Sequence, residues 1–329
     1  MKHPLPSLRT RLPAFLRLTF CLALLCLPAA AQALSITDDR GREISLSAPA
    51  GRVIALYGAF NEILADLGRE EIIIARTSAD DTPPSILEKP SIGTHLRPNA
   101  ELILALNPDL IIQLGGRAEA LETVRFLEER GLTAAVFNLE NFEQLFSVME
   151  RLGELTDATG TARQRVTTMR EELDALAATW PQTRPRIFFE VRYPNLLAAG
   201  QQSMVSEIIH RAGGVNCVEN PVKLARLGEE EVLRLDPDIY LMQHGPMNPT
   251  PVPVRERPLF RTLNCLAENQ VFDVDQAVFS RPGPRVMQAV QQLSEIVHNW
   301  EQRQTPAPRP HQPAGALGRT SGRASGDKP

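Results

Sequence analysis

Aromatic residues are scarce in this chain, 5% of 329 residues, with two tryptophans and three tyrosines. Its cores must therefore be aliphatic, which suits parallel sheets buried on both faces. There are four cysteines, and Cys21 and Cys26 fall in the first apolar run. That leaves Cys217 and Cys265, too few for a disulfide-stapled scaffold. No GxSxG, P-loop, HExxH or CxxC pattern occurs, so the common signatures of nucleophilic, phosphoryl-transfer, zinc-dependent and dithiol chemistry are absent. The apolar run at residues 18–27 is too short to cross a bilayer. Positive charge is concentrated at the two ends. Residues 1–33 carry four basic residues and no acid, and residues 301–329 carry five basic and two acidic ones. The formal charge of −4 for the whole chain thus leaves −11 on residues 34–300. A nucleic-acid binder needs a basic footprint, and that class is excluded.

What the chain does contain begins with a leader. Residues 1–33 combine Lys2, Arg9, Arg11 and Arg17, the apolar run, and small residues ending in Ala31-Gln32-Ala33. This order is that of a signal peptide, with cleavage expected after Ala33. Phe20 and Leu25 precede Cys21 and Cys26, where lipid attachment requires a small residue, so the expected product is a soluble periplasmic protein. In that oxidising compartment Cys217 and Cys265 form either a disulfide or two buried thiols that never meet.

Residues 161–179 organise the rest. Ala162, Val166, Met169, Leu173, Leu176 and Trp180 follow one another at steps of three and four residues, with no Gly or Pro between Thr161 and Trp180. That spacing lays one apolar stripe along an α-helix, closed off by Gly160 and Pro181. One sequence box stands on both sides of it. Upstream is Arg97-Pro-Asn-Ala-Glu101-Leu-Ile-Leu-Ala-Leu-Asn-Pro-Asp109-Leu110; downstream is Arg226-Leu-Gly-Glu-Glu230-Glu-Val-Leu-Arg-Leu-Asp-Pro-Asp238-Ile239. Six of fourteen positions are identical at a constant offset of 129. The repeat predicts two lobes of related design, residues 34–158 and 182–300, with a linker helix at 159–181. Residues 301–329 are Pro, Gly, Ser, Ala and charge, and are expected to be disordered.

In the first lobe a hairpin at 36–46 and strands at 52–56, 71–75, 92–95, 110–114 and 133–137 alternate with helices at 60–67, 100–106, 119–130 and 142–155. In the second, strands at 186–190, 239–243 and 271–274 alternate with helices at 204–211, 258–267 and after Gly283-Pro284, with a proline-rich loop at 245–258. This pattern predicts an α/β protein of two Rossmann-like lobes with largely parallel sheets, joined by one long α-helix. In open parallel sheets the ligand lies outside the carboxyl ends of the strands. Those ends carry Tyr57, Arg76, Thr77, His95, Gln113, Arg117, Arg192, Tyr193, His244, Ser280 and Arg281. Aromatic faces, imidazoles and guanidinium forks with few carboxylates suit a bulky anionic or metal-bearing ligand. Tyr57, His95, Arg192, Tyr193, His244 and Arg281 are the candidate ligand contacts. Each has a plainer use: the histidines as satisfied core residues, the tyrosines as wall packing, Arg281 as a tie for its own loop. Arg285, at the helix start, reads as structural.

The spine, the paired lobes, the Asn-x-Glu…Leu-x-Pro-Asp box, the Gln243-His-Gly-Pro-Met-Asn248 loop and Ser280-Arg-Pro-Gly-Pro-Arg285 together resemble the periplasmic substrate-binding proteins of ABC importers for iron–siderophores, cobalamin and haem. The resemblance covers residues 36–300. It implies a shallow interlobe cleft for a metal chelate, no catalysis, no intrinsic cofactor, a monomer, and a permease dimer with its ATPase as partner. The ligand itself then carries iron or cobalt, with an iron–siderophore expected ahead of cobalamin or haem. By motif position the resemblance gives permease docking to Glu101 and Glu230. His95 departs from the pattern, standing where cobalamin and haem binders often place an aromatic residue. Two other readings stay open. A bare-ion receptor needs three or four convergent His, Asp or Glu ligands, and only His95 and His244 look placed. A periplasmic chelatase needs a His and an acid facing each other across the cleft. A single helical spine predicts little closure, because bending it breaks backbone hydrogen bonds that a loop hinge does not have.

Overall fold

A computed structural model describes residues 34–304. The leader with its cleavage site, and the chain from residue 305 onward, lie outside the described residues. The first elements are an antiparallel hairpin, β1 (Leu34–Thr37) and β2 (Glu43–Leu46). The first lobe holds an all-parallel sheet of β3 (Val53–Ala55), β4 (Ile73–Ala75), β5 (Leu110–Leu114) and β6 (Ala134–Phe137), ordered β4-β3-β5-β6. The second lobe holds β7 (Arg186–Arg192), β8 (Leu197–Ala199), β9 (Val215–Asn216), β10 (Leu224–Arg226), β11 (Ile239–His244) and β12 (Val271–Asp275). Its order is β10-β8-β7-β11-β12, with β9 beside β7. Strands β7, β11 and β12 run parallel, whereas β8 and β10 form an antiparallel edge. The expected two-lobed α/β architecture is present, and the edge is an addition to it. Strands of three residues leave no periodicity to read.

The linker is the helix Thr159–Ala177, with Ala162, Val166, Met169 and Leu173 buried. It begins ahead of Gly160, which sits in its first turn, and it ends before Trp180. That indole N–H donates to the carbonyl of Arg211 (3.0 Å), fastening the spine to the second lobe. The last helix, Val286–Gln304, runs past residue 300, so residues 301–304 belong to the second lobe rather than to a tail. The strand expected at 92–95 is absent. Only isolated bridges, Arg76 to Ser91 and Gly93 to Pro98, stand there, and the φ of +90° at Gly93 turns the chain out of extended geometry. The helix expected at 258–267 is split into a 3-10 turn, Pro258–Thr262, and a short helix, Asn264–Ala267, by extended backbone at Leu263. Among the described residues no helix is long and apolar enough to cross a membrane.

The repeated box has a structural cause. Its two helices, Ala100–Leu106 and Glu229–Leu235, are each ended by a left-handed residue, Asn107 (φ 44°) and Asp236 (φ 38°). The aspartate that follows ties the box to the neighbouring strand. Asp109 Oδ2 accepts from the N–H groups of Gly51 and Arg52 at 2.9 Å each, and Asp238 Oδ2 accepts from Arg186 N–H at 2.6 Å. Arg52 and Arg186 reach back to the carbonyls of Leu106 and Leu235, at 2.6 and 3.1 Å. Carbonyls left open at a helix C-terminus are thereby satisfied. The lobes also share a core. Phe60 and Ile63 of the first lobe, Met169 and Leu173 of the spine, and Val286 and Val290 of the last helix belong to one continuous cluster of buried side chains.

Candidate functional site

Tyr57 leaves β3 and precedes the helix Gly58–Asp66. Gly58 permits the close approach there, since a Cβ would strike the Asp80 carboxylate. The Tyr57 ring meets His95 edge-on, with centroids 5.7 Å apart. His95 lies in a loop held from β5, where Gln113 Nε2 donates to its carbonyl (3.2 Å). Burial pushes the Tyr57 hydroxyl up to about 12. Burial, and then the charge of Arg117, hold His95 below the ordinary 6.5. At neutral pH this pair is an uncharged aromatic wall.

In the second lobe Arg192 ends β7 and Tyr193 follows it. With Asn195, Met247, Asn248 and Thr250 they line an open cavity of about 360 Å³. The Tyr193 hydroxyl donates to Glu229 Oε1 (2.6 Å); that bond, and then burial, raise its pKa. The Nε groups of Arg76 and Arg192 are buried and have no hydrogen-bond partner among the described residues. A buried donor without an acceptor is costly. His244 is exposed at the end of β11.

Arg281 is not a free guanidinium facing the cleft. Its Nη1 lies 2.9 Å from Glu62 Oε1 and 3.6 Å from Asp81 Oδ1, and Arg285 Nη2 reaches the same Glu62 at 2.5 Å. Burial alone would lower the Arg281 pKa, but the bond to Glu62 and the charges of Glu62, Asp80 and Asp81 raise it above its ordinary value. Glu62 belongs to the first lobe and both arginines to the second. The expected ligand contact is therefore an interlobe ion pair. Nothing local in the sequence pairs residues 219 positions apart, so Glu62 is invisible to sequence reasoning.

Cys217 and Cys265 are buried and free, so the disulfide alternative does not hold in this structure. Both lie in the same core cluster, but each backbone is fixed by its own element. Cys217 N–H donates to Ile187 O (3.0 Å), and the helix of Cys265 is anchored by Asn264 to Asp236 at 2.5 and 3.2 Å. Burial pushes both thiols up to about 12.

Glu101 and Glu230 are exposed in the first turns of the two box helices. Neither makes a hydrogen bond or ion pair among the described residues, whereas Glu231 pairs with Arg234 (2.6 Å) and Glu229 receives Tyr193. Among the described residues no group of three or more His, Cys, Asp or Glu side chains is placed to hold a metal ion.

Two α/β lobes on a helical spine, with an aromatic and cationic wall at the strand ends, define a binding scaffold. The family model for periplasmic binding proteins matches residues 53–278, and the chain belongs to that family. It is 22% identical over 271 residues to an ABC transporter substrate-binding lipoprotein, YvrC, of Bacillus subtilis, covering 80% of this chain and 85% of that one. It is 25% identical over 248 residues to a vitamin B12-binding protein of Vibrio cholerae, covering 74% and 88%. Among solved structures, the apo periplasmic heme-binding protein RhuT from Roseiflexus sp. RS-1 superposes with a TM-score of 0.67 at 22% identity, over 77% of this chain and 99% of that one.

Proposed function

We propose that this protein is the periplasmic receptor of an ABC importer and that its cargo is a tetrapyrrole-type metal chelate, cobalamin or haem, held between the lobes. The observation that carries this reading is the pairing of an uncharged aromatic wall, Tyr57 against His95, with the buried and unpartnered Nε donors of Arg76 and Arg192. A flat, largely apolar macrocycle with anionic or amide side arms matches both features. The names of the relatives, vitamin B12-binding and heme-binding, support a macrocycle ahead of the iron–siderophore expected from sequence. The protein acts as a monomer without catalysis, and the cargo supplies the iron or cobalt. Glu101 and Glu230 present the loaded lobes to the paired permease subunits.

Calorimetric titration of the purified protein with haemin, cyanocobalamin and a ferric catecholate siderophore tests the reading. Saturable one-to-one binding of haemin or cyanocobalamin is expected, weakened by Arg192→Ala. Binding of the siderophore alone would replace the cargo class, and binding of none of the three would sink the reading.

A further inference from the structure

We infer that Arg257 is a positioning residue of the cleft, holding Tyr193 by its ring face in the orientation in which the second lobe meets its ligand. The inference rests on the reading of this cleft as a binding site. Arg257 follows the 3-10 turn Val254–Glu256 in the connection from β11 to β12. Its guanidinium lies 3.8 Å from the centroid of the Tyr193 ring. Behind it, Glu190 of β7 grips the fork: Nη2 stands 2.9 Å from Oε1, and Nη1 contacts Oε2. The hydroxyl of Tyr240 donates to the same Oε2 at 2.5 Å. The carbonyl of Val252 accepts from Nε and Nη2 at 3.0 and 2.6 Å. The Arg257 side chain is 1% exposed and that of Glu190 0%.

Stability alone does not account for this arrangement. A pair this deep gives up its hydration, and apolar side chains of similar volume commonly stabilise a core as well or better. The guanidinium is also stacked on a partly exposed ring that lines the cavity, where a planar cation fixes the ring plane. The Tyr193 hydroxyl is fixed separately by Glu229 at 2.6 Å. Face and tip are thus both held. This grip is no part of the repeated scaffold, because the box position of Glu229 is occupied in the first lobe by Ala100.

A double-mutant cycle read in ligand affinity tests the inference, with haemin and cyanocobalamin as probes. Arg257→Lys keeps a cation beside Glu190 and loses the planar stack. It should weaken binding by about three- to tenfold, and should cause no further loss when introduced into Tyr193→Ala. An equal loss in both backgrounds would show that Arg257 acts through general stability, and unchanged affinity would show that it does not act at all; either overturns the inference. If Arg257→Lys does not fold, Glu190→Met with Arg257→Met removes both charges together and enters the same cycle. If neither probe binds the wild type, the cargo reading fails, and the ultraviolet titration of Tyr193, identified by its loss in Tyr193→Phe, decides the positioning. Arg257→Met, which takes the positive charge from the ring face and leaves Glu190 in place, should raise that phenol's pKa, and an unmoved titration overturns the inference on its own.

Discussion

Replacing Glu62 tests whether the cleft is held at a fixed width. Glu62 is 3% exposed and carries two arginines of the opposite lobe, themselves 18% and 29% exposed. Glu62→Gln keeps the shape and removes the charge, leaving two guanidiniums beside a neutral amide. Removing one partner of a fully buried pair costs about 3–5 kcal/mol. Here water reaches part of each arginine, and Asp81 remains 3.6 Å from Arg281. The expected loss is therefore about 2–3 kcal/mol, or roughly 3–6 °C in Tm for a chain of this size. Differential scanning calorimetry measures it directly. The triple variant Glu62→Met, Arg281→Met, Arg285→Met leaves no charge behind and should recover most of the loss. Because both lobes contribute to one buried cluster, the wild type should unfold in a single transition. A Glu62→Gln variant with wild-type Tm would refute the argument, and so would a triple variant less stable than the single one.

Other expectations follow from the same geometry. With the lobes joined by the spine, the shared core and the Glu62 cluster, small-angle scattering should show almost no change in radius of gyration on loading, and a shift of several ångströms would point to a hinge. His95 and His210 both titrate below the ordinary 6.5, by burial first and then by the charges of Arg117 and Arg184 respectively. The folded form thus binds fewer protons than the unfolded one, so this stability is complete above 6.5 and is lost as the pH falls through the folded values. Tm should decline on acidification from neutral pH, and His95→Gln should make that decline shallower; an identical slope in the variant would contradict the assignment. Glu101→Lys with Glu230→Lys should leave cargo affinity intact and abolish stimulation of the transporter's ATPase in reconstituted vesicles.

What the sequence shows of this fold is what repeats or alternates. The stripe from Ala162 to Leu173 is buried along the spine, and the box helices and the strands after them stand where their caps and prolines end one element and begin the next. The antiparallel edge of β8 and β10 has no such signal, because three residues cannot display a period. The candidate site divides in the same way. Tyr57, Arg192 and Tyr193 stand at strand ends, which alternation alone locates. Glu62 and Arg257 depend on partners 219 and 67 positions away, and Arg257 lies in a proline-rich stretch that reads as plain loop. Contacts of that kind are set by packing, and a single sequence does not display them.

The repeat itself separates scaffold from surface. Asp109 and Asp238 recur because each ties its box to a neighbouring strand, and Leu106 and Leu235 offer the carbonyls that Arg52 and Arg186 cap. Glu101 and Glu230 recur without any such bond among the described residues. A carboxylate in the first turn of a helix gains about 0.3–1 kcal/mol from the dipole, which explains an acid but not this position. In the second lobe Glu229 and Glu231 occupy the same turn and supply that charge; in the first lobe Asn99 already caps Leu102 N–H at 3.0 Å. The fold therefore does not need either glutamate at its particular place. Under the proposed docking role, two equivalent, exposed carboxylates on two related lobes would meet a partner that is itself paired, and a carboxylate is a group that arginine grips bidentately. If the charge-reversed double variant drives the ATPase at the wild-type rate, the recurrence of these glutamates belongs to their helices after all.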